Sequence, residues 1–82
     1  MLNLFRWQSV DTMRNRFRFY SLSVGMDLWG EPVLINHWGR IGTRGQRQFI
    51  WGPVSELGKR IERVKIEREL HGYQVLSSFY KT

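Results

Sequence analysis

The sequence of 82 residues contains no cysteine, which excludes disulfide bonds and zinc sites built on thiolates. Its two histidines, His37 and His71, are too few for most imidazole-based metal sites. No run of 18 apolar residues is present, and the N-terminus lacks the basic-then-apolar order of a signal peptide. These absences predict a cytoplasmic protein without metal or other cofactor, held together by a small apolar core.

The short length also limits the chemistry. We predict a single domain over residues 1–82, because the chain is too small for a dinucleotide-binding fold or a TIM barrel. None of the glycines fits the P-loop pattern, and the serines lack a histidine and acid arranged as a relay. The seven carboxylates fall in expected turns or on a basic helix, so no pair indicates acid–base catalysis. We therefore do not expect an enzyme.

Acidic residues are scarce relative to basic ones. Thirteen lysines and arginines face seven acids, which leaves a net charge of +6, and ten of the thirteen are arginines. Arginine offers a planar pair of donors that matches phosphate and can stack on rings. This composition predicts an anionic partner, either a nucleic acid or an acidic protein.

Apolar periodicity predicts the secondary structure. Residues 16–24 alternate with the period of a strand, placing Arg16, Arg18 and Tyr20 on one face and Phe17 and Phe19 on the other. Residues 2–7, 33–38 and 46–51 are the other expected strands. Residues 73–80 are either a final strand or a packed tail, because Phe79 and Tyr80 are too apolar for a free end.

The period changes after residue 52. Over residues 53–70, the apolar side chains of Val54, Leu57, Ile61 and Val64 form one stripe of a helix. Arg68 lies on this stripe, whereas Ile66 and Leu70 lie opposite it. Either the end of the helix is covered on both sides, or Arg68 is held beneath a sheet.

Strands followed by one helix predict an α+β fold, an antiparallel sheet of about four strands with the helix packed across one face. A single helix cannot cover both faces. We expect the other face, with Leu34, Asn36 and Trp38, to be partly exposed and available for binding.

The segment from residue 37 to residue 47 carries the densest combination of functional residue types. Three glycines let backbone amides approach an anion, and Arg40, Arg44 and Arg47 have no acid near them in sequence, since none occurs between Glu31 and Glu56. An exposed Trp38 would offer a ring for a base or sugar. Structural alternatives remain open for each feature: a core position for Trp38, a simple turn for the glycines, and a solvated strand surface for the arginines at positions 14, 16 and 18.

The tripeptide Trp38-Gly39-Arg40 resembles the motif for which the WGR domain is named. The similarity extends to Arg18-Phe19-Tyr20 in an early strand, to the Gly45-Gln46 pair after the motif, and to the helix ending before Gly72-Tyr73, as in small bacterial members. It spans about residues 4–75. The resemblance implies an antiparallel sheet crossed by one helix, in agreement with the periodicity. In poly(ADP-ribose) polymerases such a domain binds DNA at strand breaks.

The resemblance implies a role for the Trp38 ring at a terminal nucleotide, close approach at Gly39, and a binding or interdomain role for Arg40. The expected nucleic-acid-binding residues are Trp38, Gly39, Arg40, Arg44, Gln46, Arg47, Arg18 and Arg68. The leading hypothesis is a non-catalytic nucleic-acid-binding module, with DNA as its expected ligand. An adaptor that docks an acidic protein through the same tryptophan and arginines is the alternative, and a pocket for a small anion such as a nucleotide is a third.

Overall fold

The computed structural model describes residues 2–78. The elements in chain order are β1 (Leu2–Asp11), β2 (Arg16–Met26), β3 (Pro32–Arg40), β4 (Gln46–Trp51), α1 (Val54–Leu70) and β5 (Gln74–Ser78). The predicted α+β class is confirmed. No helix within these residues has the length and apolarity needed to cross a membrane.

The strands form one sheet in the order β4-β3-β2-β1-β5, and all neighbouring pairs are antiparallel. Helix α1 carries the chain from the edge strand β4 to the opposite edge strand β5, so it crosses one face. Within residues 2–78 the sheet has five strands, where about four were predicted. The ambiguous segment after residue 72 forms the fifth, while Phe79 and Tyr80 lie outside the described residues.

The first hairpin is longer than its sequence indicated. Strand β1 runs to Asp11, four residues beyond the strand expected at residues 2–7. The Asp11 carboxylate accepts a hydrogen bond from the amide of Met13, and Asn15 adopts a left-handed conformation with φ of 52°. These features are typical of a tight turn, and they confine the reversal to residues 12–15.

The core lies between α1 and the sheet. Phe5 and Trp7 stack with ring centroids 5.0 Å apart, and both are buried together with Leu22 and Leu34. From the helix, Leu57 and Ile61 complete this cluster, with Val64 partly buried against it. The first member of the predicted helix stripe is not buried, because Val54 in the first turn of α1 is 73% exposed.

Our prediction of which face of β3 is covered by the helix is wrong. Leu34 and Asn36 are 0% and 5% exposed and lie beneath α1, so they are not on the open face. The register explains the difference: Leu34 pairs with Val24 and Trp38 pairs with Tyr20, which aligns these residues with the apolar face of β2. The open face instead presents Ile35 and His37.

The hairpin between β3 and β4 depends on close packing of two glycines. A β-carbon built on Gly39 would lie 2.6 Å from the α-carbon of Gly45. A β-carbon on Gly45 would collide with the carbonyl oxygen of Trp38 and lie 2.8 Å from the ring of Phe19. The His37 ring closes the same loop, because its Nε2 contacts the carbonyl oxygen of Arg44. The glycines therefore set the geometry of the turn, and His37 has a structural role.

We predict that Gly45→Ala destabilises the hairpin more than Gly42→Ala does. Both glycines have positive φ, 68° and 93°, but only Gly45 lacks space for a side chain. Backbone strain costs either variant about 1–2 kcal/mol, and the collision should lower the free energy of unfolding of Gly45→Ala by at least about 1 kcal/mol more. Urea denaturation of the two variants measures the difference. Equal losses would contradict the close packing at Gly45.

Candidate nucleic-acid interface

A cleft of about 590 Å³ opens on the helix side of the sheet, next to the C-terminal end of α1. Its chemistry is dominated by arginine. We call it the arginine cleft, after the side chains of Arg14, Arg16, Arg18, Arg40 and Arg68 that line it together with Trp38, Gly39 and Tyr73.

The register of the sheet brings these arginines together. Arg18 pairs with Arg40 across β2 and β3, two residues along each strand from the pair formed by Tyr20 and Trp38. Arg16 lies two residues before Arg18, which is one period of the strand. The predicted common face of Arg16, Arg18 and Tyr20 is therefore confirmed. Because α1 does not cover this end of the sheet, the arginines line an open cleft instead of a core.

Arg68 is the contribution of the helix to the cleft. Its guanidinium carbon lies 4.7 Å from the ring centroid of Tyr20 and 5.1 Å from that of Tyr73. Cation–π attraction to two rings favours this position, and it explains why an arginine occupies the apolar stripe of α1. Of our two alternatives, the structure therefore supports the one in which Arg68 is held beneath the sheet. Ile66 and Leu70 are exposed.

Trp38, in the hairpin between β3 and β4, contacts the same Tyr20 ring as Arg68. Its ring is half-buried and stacks on Tyr20 at 6.0 Å with an interplanar angle of 17°, and it also lines the cleft. The other edge of Tyr20 meets Trp7 of the core. The structural and functional interpretations of Trp38 are thus compatible, since the same ring both packs and lines the cleft.

Two further arginines are anchored by backbone carbonyls. The guanidinium of Arg40 donates to the carbonyl and side-chain oxygens of Asn15, at 3.4 and 3.3 Å, and lies 5.2 Å from the ring of Phe17. Arg16 donates to the carbonyl of His71 at 3.4 Å. These contacts orient the cations without neutralising them.

Among residues 2–78, no carboxylate lines the arginine cleft. Across residues 2–78 the one ion pair within 4.0 Å joins Arg14 to Asp11, at 3.7 Å and on the surface. The Nε atoms of Arg16 and Arg68 are buried without a hydrogen-bond acceptor. The same part of the chain brings together no group of three His, Asp or Glu side chains that could hold a metal ion. The cleft is therefore suited to an anion.

Burial of the Tyr20 hydroxyl raises its pKa above the ordinary value of 10.0. The nearby positive charge of Arg68 acts in the opposite direction, whereas Glu67 and Tyr73 add to the increase. Desolvation is the larger effect, so the neutral phenol is the form favoured by the fold.

The structure divides the predicted binding residues into two groups. Trp38, Gly39, Arg40, Arg18 and Arg68 all line the arginine cleft. The other three do not.

Gln46 pairs with Trp38 on the same side of the sheet but does not line the cleft, and Arg44 lies in the exposed turn. Arg47 pairs with His37 and faces the opposite side of the sheet. Arg14, Arg16 and Tyr73 line the cleft but were not among the predicted binding residues. The shared strand period of Arg16 and Arg18 was the available signal for Arg16, and the Gly72-Tyr73 pair after the helix, noted in the family resemblance, was the signal for Tyr73.

Comparison with known proteins gives one family and one informative relative. The family model of the WGR domain matches residues 5–79. The chain is 44% identical over 63 residues to the uncharacterized protein y4dW of Sinorhizobium fredii, an alignment covering 77% of this chain and 28% of that protein. The chain thus spans less than a third of that relative. No solved structure matches significantly.

The raised pKa of Tyr20 predicts a stability loss in alkaline solution. The unfolded chain loses the phenolic proton near pH 10.0, before the folded chain does, so the free energy of unfolding should fall as pH rises above that value. Tyr20→Phe removes the titration and should show a shallower decline. Urea denaturation of both proteins between about pH 8.5 and 11 tests this expectation, and identical slopes would contradict it.

Proposed function

The chain belongs to the WGR domain family, and on that premise we propose that it binds DNA, with the arginine cleft as the contact surface. WGR domains are generally nucleic-acid-binding modules. The finer assignment to DNA, to the cleft and to strand ends is our proposal.

The observation that carries the proposal is the surplus of unpaired donors in the cleft. Within the described part of the chain, the buried Nε atoms of Arg16 and Arg68 lack acceptors, and no carboxylate lines the cleft. Leaving a buried donor unpaired costs about 1–3 kcal/mol. A phosphate in the cleft would instead meet the accessible guanidinium nitrogens of the lining arginines, and arginine matches phosphate with two parallel hydrogen bonds.

The position of Trp38 favours the end of a DNA strand over its interior. Bases inside a duplex are stacked on both faces, whereas a terminal base or sugar has a face available for an aromatic ring. The Trp38 ring lines the cleft beside Arg18 and Arg40, so a terminal nucleotide on this ring would place its phosphate near both cations. Gly39 keeps the adjacent backbone free of a side chain.

We further propose that the module is non-catalytic and acts in the cytoplasm. In poly(ADP-ribose) polymerases the WGR domain is itself a binding module without catalysis. The Sinorhizobium fredii relative is much longer than the aligned region, which covers 28% of it, and we propose that any activity of such a longer protein lies outside this domain.

The first experiment is fluorescence anisotropy with fluorescein-labelled DNA across a salt series. Blunt duplexes with and without a 5′-phosphate, a nicked duplex, a closed hairpin and matched RNA form the panel. We expect tighter binding to open phosphorylated ends than to the closed hairpin. Equal affinities would reject end recognition, and absence of binding at low salt would reject the proposal in favour of an acidic protein partner.

We predict that Trp38→Ala weakens binding to the phosphorylated duplex by about 1–3 kcal/mol, because it removes a stacking surface. Trp29→Ala is the matched control, since Trp29 is 83% exposed in the turn between β2 and β3 and does not line the cleft. Anisotropy gives the affinities, and thermal melting verifies that both variants fold. Equal affinity for the two folded variants would remove Trp38 from the interface.

We predict that Arg18→Gln reduces the salt dependence of binding. Loss of one phosphate contact should lower the slope of log K against log salt by about 0.9. Arg63→Gln removes an equally exposed arginine from α1, outside the cleft, and should leave the slope unchanged. The same anisotropy titrations at four or more salt concentrations supply both slopes, and a matching change in the two variants would indicate diffuse charge rather than a site.

A further inference from the structure

The sheet face away from α1 carries its own combination of arginine and aromatic side chains. Arg6, Ser21, His37 and Arg47 are successive cross-strand partners from β1 to β4. They line a shallow groove of two adjoining parts, each of about 360 Å³, that share Arg6, Ser21 and His37. The groove therefore crosses the open face with an arginine on either side of its centre.

Two exposed rings lie at the β4 side of this groove. Phe49 and Trp51 are 49% and 55% exposed, and their rings are stacked at 6.2 Å with an interplanar angle of 29°. Trp51 is fixed in orientation because its Nε1 donates to the carboxylate of Asp27 at 3.1 Å. Ordered aromatic side chains left in water on a sheet surface offer ready stacking platforms.

The charge of the groove is positive. Neither part of it is lined by a carboxylate, and neither Arg6 nor Arg47 forms an ion pair within the described chain. Asp27 is the acid at the Trp51 end, and its oxygens already accept from Trp51 and from the amides of Trp29 and Glu31. The complementary ligand is therefore an anion that also carries flat apolar rings.

We propose that this open face is a second binding site, one for single-stranded nucleic acid. Unpaired bases would stack on Phe49 and Trp51, while Arg47 and Arg6 contact the phosphates. The interior of a duplex does not fit this chemistry, because its bases are already covered on both faces, whereas aromatic surfaces with adjacent cations are the usual platform for single strands. The site lies on the opposite side of the sheet from the arginine cleft and does not depend on it.

The test compares two DNA probes by anisotropy: fluorescein-labelled dT12 and the 5′-phosphorylated duplex. Phe49→Ala should lower affinity for dT12 at least about fivefold, the equivalent of about 1 kcal/mol for one stacked base. Arg47→Gln should lower it as well and reduce its salt dependence. Both variants should keep the duplex affinity of the unchanged protein, and Arg18→Gln should keep the dT12 affinity.

Matched controls separate the site from general surface effects. Ile66→Ala removes an exposed apolar side chain from α1, and Arg63→Gln removes an exposed charge from the same helix. Neither should change binding of dT12. Photo-crosslinking with 4-thiothymidine in the probe gives an independent readout that does not depend on a variant, and it should label the β4 peptide that contains Phe49 and Trp51.

Four results would overturn the proposal. Absence of dT12 binding at low salt is the first. Crosslinking to the peptides of Trp38 or Arg68, with equal losses in Arg18→Gln, would place single strands in the arginine cleft. A loss with Arg47→Gln but none with Phe49→Ala would indicate charge without stacking. Binding of poly-glutamate in preference to dT12, weakened by both variants, would indicate an acidic protein instead.

Discussion

The ring of Tyr20 is the contact on which core and cleft both depend. It meets Trp7 of the core edge-on, stacks on Trp38 of the hairpin, and lies beneath the guanidinium of Arg68 from the helix and against the edge of Tyr73. Each neighbour comes from a different part of the chain, so this ring fixes the relative positions of β1, β3, α1 and the start of β5. A shift of Tyr20 would therefore change the core and the binding surface together.

The length of α1 also determines which part of its sheet face stays open to a ligand. Helix α1 buries Leu57 and Ile61 against the sheet, but by Arg68 its stripe has reached the margin of the apolar core. Beyond that point α1 no longer buries the strands, and the next residues of β2 on this face are Arg16 and Arg18. Arg16 is covered by Tyr73 and His71 instead. The cleft is thus a consequence of a sheet that is longer than the single helix crossing it.

Sequence periodicity predicted the elements well because alternation is a local property. The strand expected at residues 46–51 is β4 itself, and the helix ends at Leu70 as expected. Alternation separates two faces but does not say which one is covered, so Leu34 and Asn36 were assigned to the wrong side. That choice depends on register, set by the pairing of Trp38 with Tyr20 across the sheet, and on the approach of Tyr73 after the helix. Such contacts join residues distant in sequence and leave no local signal.

Arg47 and Trp38 lie on opposite faces of the sheet because side chains alternate along each strand. Trp38 and Gln46 are partners on the helix side, so the next residue along β4 must face the other way. A cluster that is dense in sequence therefore supplies both faces of the sheet. The sheet separates its two faces, so a ligand bound on one face cannot touch a ligand bound on the other. The two bound ligands would influence each other mainly through charge. Adding salt would weaken that electrostatic coupling, whereas coupling carried by the shared strands would persist.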